Sequence, residues 1–226
     1  MASVNPVNPL LLAAQSMLFK AFLLIMVVLA VKLLWKTYFP VLKGRLGEKV
    51  VADTLAQLPE GYRIINDLIV RTDWGTTQID HVVISPHGIF VIETKAYGGW
   101  IYGSETDAYW TQVIHRRKKT FYNPLRQNYG HVQALKAILA GSKDIGYKNI
   151  DYYSIVVFTR EGELKKSPPG VIYRQQLNNF ILNRKDGHPI SRSDANWILS
   201  LLLSANIQDG ETKRQHRESV RMKKAV

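Results

Sequence analysis

The chain contains no cysteine, which excludes disulfide frameworks, thiolate zinc ribbons, iron–sulfur clusters and cysteine nucleophiles in any compartment. Negative charge is scarce as well: 18 Asp+Glu stand against 30 Lys+Arg, giving a net charge of +12 and a pI near 9.8. That balance favours polyanionic neighbours, nucleic acid or anionic lipid, without choosing between them. No internal repeat is visible. With 46% hydrophobic and 21% charged residues the chain is not globally disordered, and its 226 residues suit one sizeable domain with attachments better than two full catalytic domains.

Charge is also missing from the amino end, where no Lys or Arg precedes Lys20. Leu10 to Trp35 is apolar apart from Gln15, Ser16, Lys20 and Lys32, and a spanning helix needs about 20 such residues. A span over about 17–35, centred on Met26, leaves Lys20 and Lys32 each about 9 Å from the midplane at roughly 1.5 Å per residue, within snorkelling reach of headgroups. Trp35 and Tyr38 then fall in an interfacial aromatic belt, and Pro40 is expected to end the helix. A cleaved signal peptide fits less well, lacking a basic start and a small-x-small cleavage site; a buried soluble helix is the remaining alternative. Lys36, Lys43, Arg45 and Lys49 follow the span closely, so the positive-inside rule puts the long carboxyl part in the cytoplasm. The expectation is a single-pass protein of a bacterial-type inner membrane, with 1–40 as the anchor segment, 41–208 as the domain and 209–226 as a basic tail.

From Gly44 onward strand-like and helix-like segments alternate, the pattern of a mixed α/β domain. A helix is expected over Leu46–Leu58, stopped by Pro59-Glu60-Gly61. Strands are expected over Tyr62–Val70, Gln78–Ile84, Ile89–Lys95, Trp100–Gly103, Tyr152–Phe158 and Val171–Tyr173. Helices are expected over Pro124–Ala140, with Pro near the start and Gly141 after the end, over Gln175–Leu182, and from about Asp194 to Ser204 with Ser191 or Ser193 as cap.

The most informative stretch is Gln78 to Lys95, two apolar runs flanking Ser85-Pro86-His87-Gly88, which reads as an antiparallel hairpin. If Ile84 faces Ile89, counting back along both strands brings Asp80 opposite Glu93, and alternation puts Lys95 on the face of Glu93. Directly opposed side chains have Cβ atoms roughly 4.5–5.5 Å apart. Two carboxylates there repel unless a cation lies between them, either Lys95 or a divalent metal such as Mg²⁺, which takes a few carboxylate oxygens and fills its octahedron with water and phosphate. The same three residues also suit a solvated cross-strand ion pair, and a slip of one residue in register would separate them.

Taken in order, Gly47-Glu48, Thr77-Gln78-Ile79-Asp80-His81, Gly88-Ile89-Phe90-Val91-Ile92-Glu93-Thr94-Lys95, Tyr97-Gly98-Gly99, Trp110 and Asn123-Pro124-Leu125-Arg126-Gln127-Asn128 resemble the nuclease-related domain (NERD) family, a branch of the PD-(D/E)XK nuclease superfamily. The resemblance covers roughly Gly44 to Phe158. It implies a restriction-endonuclease-like core, a central mixed sheet flanked by helices. It implies Asp80 and Glu93 as ligands of Mg²⁺ or Mn²⁺, Glu93 and Lys95 as the Glu-x-Lys pair, Glu48 as the helical acid and Gln127 as the glutamine of the later helix. Ala96 departs from the pattern, standing where an amide or other polar residue is expected.

Phosphodiester hydrolysis needs a cation on the non-bridging oxygens and an activated water in line with the leaving oxygen. Lys95 would orient or deprotonate that water, and Gln127 with His131, one helical turn later, would contact the scissile-strand backbone. Glu48 in a first helical turn also satisfies the helix dipole without any catalytic duty. His81 alternates away from Asp80 and reads as packed; Tyr97, Trp100 and Trp110 read as core or turn packing rather than base-stacking platforms. His115-Arg116-Arg117-Lys118-Lys119 and then Arg126 form the densest basic run, suited to a phosphate backbone, to a solvated loop, or to an anionic leaflet. Lys213, Arg214, Arg217, Arg221, Lys223 and Lys224 make the tail basic. The leading expectation is a membrane-anchored Mg²⁺-dependent endonuclease acting on DNA or RNA, DNA first. The alternatives are an inactive tethered nucleic-acid-binding or scaffold module and a lipid-surface protein.

Overall fold

The computed structural model describes residues 9–73, 75–141, 149–159 and 162–208; the basic tail lies outside them. The chain divides into two compact units between Arg45 and Leu46. One helix, α1 (Pro9–Leu55), carries the apolar run and continues past Pro40, where the sequence reading ended one helix and began another at Leu46. Proline withdraws an N–H from the ladder and crowds the carbonyl one turn back, at about 3 kcal/mol, and the glycine that follows at Gly44 costs about 1 kcal/mol more. Neither suffices to break so long a helix. Through the first unit its large apolar side chains, from Met17 to Trp35, are exposed, and the helix is long and apolar enough to cross a membrane.

In the second unit a five-stranded mixed sheet runs in the order β1 (Arg63–Thr72), β2 (Gly75–Ser85), β3 (Gly88–Lys95), β7 (Tyr152–Phe158) and β9 (Val171–Tyr173). The first three pair antiparallel, and β3, β7 and β9 run parallel. Its central strands read as unbroken apolar runs because both of their faces are covered. Ile79, Val82, Ile84, Ile89 and Val91 pack against α2 (Pro124–Ala140) and α4 (Arg192–Ala205). Val83, Phe90, Ile92, Ile155 and Val157 pack against Val51 and Leu55 of α1 and against Leu177 and Ile181 of α3 (Leu177–Asn183). Ser191 caps α4, its hydroxyl accepting from the Asp194 N–H.

A second, four-stranded sheet runs β6 (Arg117–Tyr122), β5 (Tyr109–Ile114), β4 (Gly99–Tyr102), β8 (Gly162–Leu164). The sequence reading foresaw only β4 of these. β6 opens Arg-Lys-Lys-Thr and hides its alternation, as edge strands that carry lysine do. Ile101 and Trp110 of this sheet share a core with Val156, Phe158 and Val171 of the first. The architecture is α/β with two mixed sheets and helices, where a single central sheet was expected.

Candidate active site

The hairpin register sets the site. Ile84 pairs with Ile89 and His81 with Ile92, so one step further Asp80 comes opposite Glu93. Asp80 Oδ2 accepts the Thr94 N–H at 2.7 Å, which fixes its carboxylate against the end of β3. Lys95 donates from Nζ to Glu93 Oε1 at 2.6 Å and to Gln127 Oε1 at 3.0 Å. His131 Nε2 lies 3.2 Å from the other Glu93 oxygen, and its Nδ1 lies 3.0 Å from the Thr77 hydroxyl. Glu93 and His131 are buried among apolar strands, so each polar contact here is made with little competition from water.

Helix α2 is brought to β3 by two asparagines. Asn123 caps it, accepting from the Leu125 N–H, and its amide nitrogen donates to the carbonyls of Ser104, Glu105 and Asp107. Asn128, fully buried, donates to the carbonyls of Val91 and Ile155 and to the Ser154 hydroxyl. Gln127 precedes this clamp by one residue and His131 follows it by three, which carries both toward Glu93 and Lys95.

Glu48 enters from α1. A Cβ on its neighbour Gly47 would lie 2.7 Å from that of Ala96, so helix and strand end touch at a spot where neither tolerates a larger side chain. That contact explains why Ala96 replaces the expected polar residue. It also places Glu48 within electrostatic reach of Asp80.

Burial pushes the Asp80 carboxyl well above the ordinary range, and the Glu93 and Glu48 carboxylates push it further, against the Thr94 N–H and Lys95. Burial also disfavours ionised Glu93, but Lys95 and His131 outweigh it and bring its pKa down to about 2. For Lys95 the loss of water is outweighed by Glu93, with Tyr97 and Asp80 adding to it, so the ammonium is held above its usual range. The cluster thus has one firmly ionised carboxylate, one fixed cation and one carboxyl whose ionisation its acidic neighbours resist.

Residues 43–159 match the family described as nuclease-related domain. The chain belongs to that family. An uncharacterized protein of Bacillus anthracis is 35% identical over 201 residues, covering 86% of this chain and 91% of the relative. No solved structure matches.

Within the NERD domain the other expected residues are distributed differently. Arg116 lies in the turn between β5 and β6, and Arg117, Lys118 and Lys119 form the exposed start of β6. None of the described contacts joins these four to Asp80, Glu93 or Lys95. Arg126 donates to the Thr106 carbonyl at 2.6 Å and props the loop before β5 rather than standing free. His131 binds Glu93 from within the core instead of reaching outward to a substrate backbone. Its i, i+4 spacing from Gln127 was the signal for their shared face; Thr77 had none beyond its place in the Thr-Gln-Ile-Asp string. His81 is buried, with Nδ1 2.8 Å from Asn66 Oδ1, and burial lowers its pKa to about 4.

The donor set at the hairpin end consists of hard carboxylate oxygens, which suit Mg²⁺ or Mn²⁺. The resistance of Asp80 to ionisation beside two other acids is what a bound divalent cation would relieve. Among the described residues no group of three or more His, Asp or Glu is arranged to hold a metal ion. Asp80 and Glu93 would supply such an ion with two carboxylates, its other positions falling to water or phosphate.

Proposed function

We propose that the chain is a membrane-anchored, Mg²⁺-dependent endonuclease hydrolysing phosphodiester bonds in DNA, built on a restriction-endonuclease-like core. The observation that carries this reading is the Lys95 ammonium, held charged between Glu93 and Gln127 beside the Asp80 carboxyl. Asp80 and Glu93 would hold the ion, which when bound supplies charge neutralisation at the phosphate and a more acidic water.

The residues of the chain do the positioning. Lys95 donates; held above its usual pKa, it serves as a fixed cation facing developing phosphate charge and not as the base that takes a proton from water. Gln127 and Glu93 pin its Nζ, leaving the third N–H for substrate. His131, tied to Thr77, fixes the second Glu93 oxygen and so the plane of the carboxylate. Glu48 adds negative charge near Asp80, which strengthens the pull on a cation. The anchor reading rests on the length and apolarity of α1 and on the basic residues that follow the span.

The test is plasmid cleavage by the full chain in detergent. Nicking is expected with Mg²⁺ and absent with EDTA, and Asp80→Ala, Glu93→Ala and Lys95→Ala should each lower the rate by 10² or more, the size of losing one transition-state contact in a preorganised site. Nicking that survives all three substitutions sinks the proposal.

A further inference from the structure

The second sheet has one face that the site does not use. Cross-strand neighbours share a face, and the register sets Trp100 beside Val113 and Lys118, Tyr102 beside Thr111 and Thr120, and Tyr109 beside Tyr122. The alternate residues Ile101 and Trp110 point into the core. The outward rings are well exposed: Trp100 is 49%, Tyr102 41%, Tyr109 63% and Tyr122 49% accessible. Reading Trp100 as packing is therefore corrected, while Trp110 is buried and Tyr97 packs edge-on against Phe121.

Exposed aromatics of this number are not left over from folding, since they contribute nothing to the core and cost solubility. Cations are interleaved with them. Lys118 shares the face, and Lys165 sits 4.7 Å from the centre of the Trp100 ring. Glu163, the acid opposite Trp100, is neutralised by Lys165 at 2.5 Å. Hydroxyls of Thr111 and Thr120 fill the middle, so the face is aromatic, polar and basic rather than greasy.

We infer that this face of β4, β5 and β6 binds single-stranded nucleic acid, unpaired bases stacking on Trp100, Tyr102, Tyr109 and Tyr122 while Lys118 meets the backbone. Rings standing out from a sheet are complementary to base faces, and those are reachable only where bases are unpaired. Positive charge complements the phosphates and makes binding salt-dependent. An anionic membrane would also attract the lysines, and Trp and Tyr suit an interface, but Thr111, Thr120 and Lys118 lie between the rings on this face, and burying those polar groups in lipid costs free energy. The inference deepens the nuclease reading, on which it rests for nucleic acid as the occupant, by naming single-stranded stretches as what the domain grips.

The test uses the full chain in phosphatidylcholine nanodiscs with EDTA present, so that binding is read without cleavage. Fluorescence anisotropy with a fluorescein-labelled oligothymidylate of about 15 nucleotides, a length suited to a single-strand platform, should show binding tighter than to a duplex of equal length. Trp100→Ala or Tyr109→Ala should weaken it about 10-fold, the usual worth of one stacked base. Trp100→Phe and Tyr109→Phe, which keep a ring, should restore it and show that the alanine variants did not fail by misfolding. Lys118→Ala should reduce the salt dependence by about one phosphate contact. Oxidative footprinting read by mass spectrometry should show Trp100 and Tyr109 protected by the oligonucleotide. Unchanged affinity in the alanine variants overturns the inference, as does duplex preference, or, in a second set of discs containing phosphatidylglycerol, protection of Trp100 by the lipid and not by oligonucleotide. A chain that binds in this way and never cleaves leaves the inference standing and removes the nuclease; a chain that nicks plasmid and binds the oligonucleotide equally well with these rings replaced does the reverse.

Discussion

Asp80 is the residue at which the proposed metal-binding role and stability oppose each other. Burial and the neighbouring carboxylates of Glu93 and Glu48 raise its pKa, so the folded state binds its proton more tightly than the unfolded chain does. A group raised in this way favours folding fully below its unfolded pKa, and that contribution is lost as pH rises through the folded value. Asp80→Asn keeps the acceptor for the Thr94 N–H and removes the charge. In EDTA the variant should be more stable than the parent by about 1–2 kcal/mol at pH 8, the gain typical of relieving a strained functional position, and the difference should shrink toward pH 4. Added Mg²⁺ should raise the melting temperature of the parent and leave the variant nearly unmoved. Thermal unfolding across this pH range, with and without the ion, measures both; a parent indifferent to Mg²⁺ would remove Asp80 as a ligand.

Among the elements, the hairpin was the most legible in the sequence, and for a physical reason. A Ser-Pro-His-Gly turn between two apolar runs favours a register that buries both, and the Ile84–Ile89 pairing on which the approach of Asp80 to Glu93 depended is the one the strands adopt. α2 was equally plain from its proline, its period and Gly141. β6 was not, because Arg117, Lys118 and Lys119 give no alternation in hydrophobicity; its strand character depends on pairing with β5, which is tertiary information. The buried role of His131 was illegible for the same reason, and the continuity of α1 across Pro40 because an interior proline ordinarily ends or kinks a helix. The contact of α1 with the end of β3 gives the prediction at this scale. Gly47→Ala brings a Cβ to 2.7 Å from that of Ala96, and overpacking of this kind costs about 1–3 kcal/mol, more than the roughly 1 kcal/mol of helix propensity regained. Stability should fall, and with it any cleavage that depends on Glu48 standing near Asp80. Adding Ala96→Gly should recover both, and a double variant no better than the single one, by denaturant titration and by rate, would show that this contact does not set the helix.

At the scale of the whole molecule, the +12 charge is distributed in a way that would set one orientation for the proposed anchor. The apolar run has no basic residue ahead of Lys20, and Lys36, Lys43, Arg45 and Lys49 crowd its far side. Moving those four charges across a bilayer is opposed by the insertion machinery and by the membrane potential, at about 2.3 kcal/mol per charge per 100 mV. Lys20 and Lys32, near opposite ends of the span, lean to opposite headgroup layers and add no bias. The chain should therefore sediment with bacterial membranes, resist alkaline carbonate extraction and need detergent for release. A fluorescent protein fused after Val226 should glow, and alkaline phosphatase at the same point should stay inactive, since the first matures in the cytoplasm and the second outside it. Replacing Lys36, Lys43, Arg45 and Lys49 with glutamine while placing three lysines ahead of Leu10 should invert both reporters. Phosphatase activity from the unaltered chain would put the NERD domain outside the cell, away from chromosomal DNA, and its substrate would then be nucleic acid entering from the surroundings.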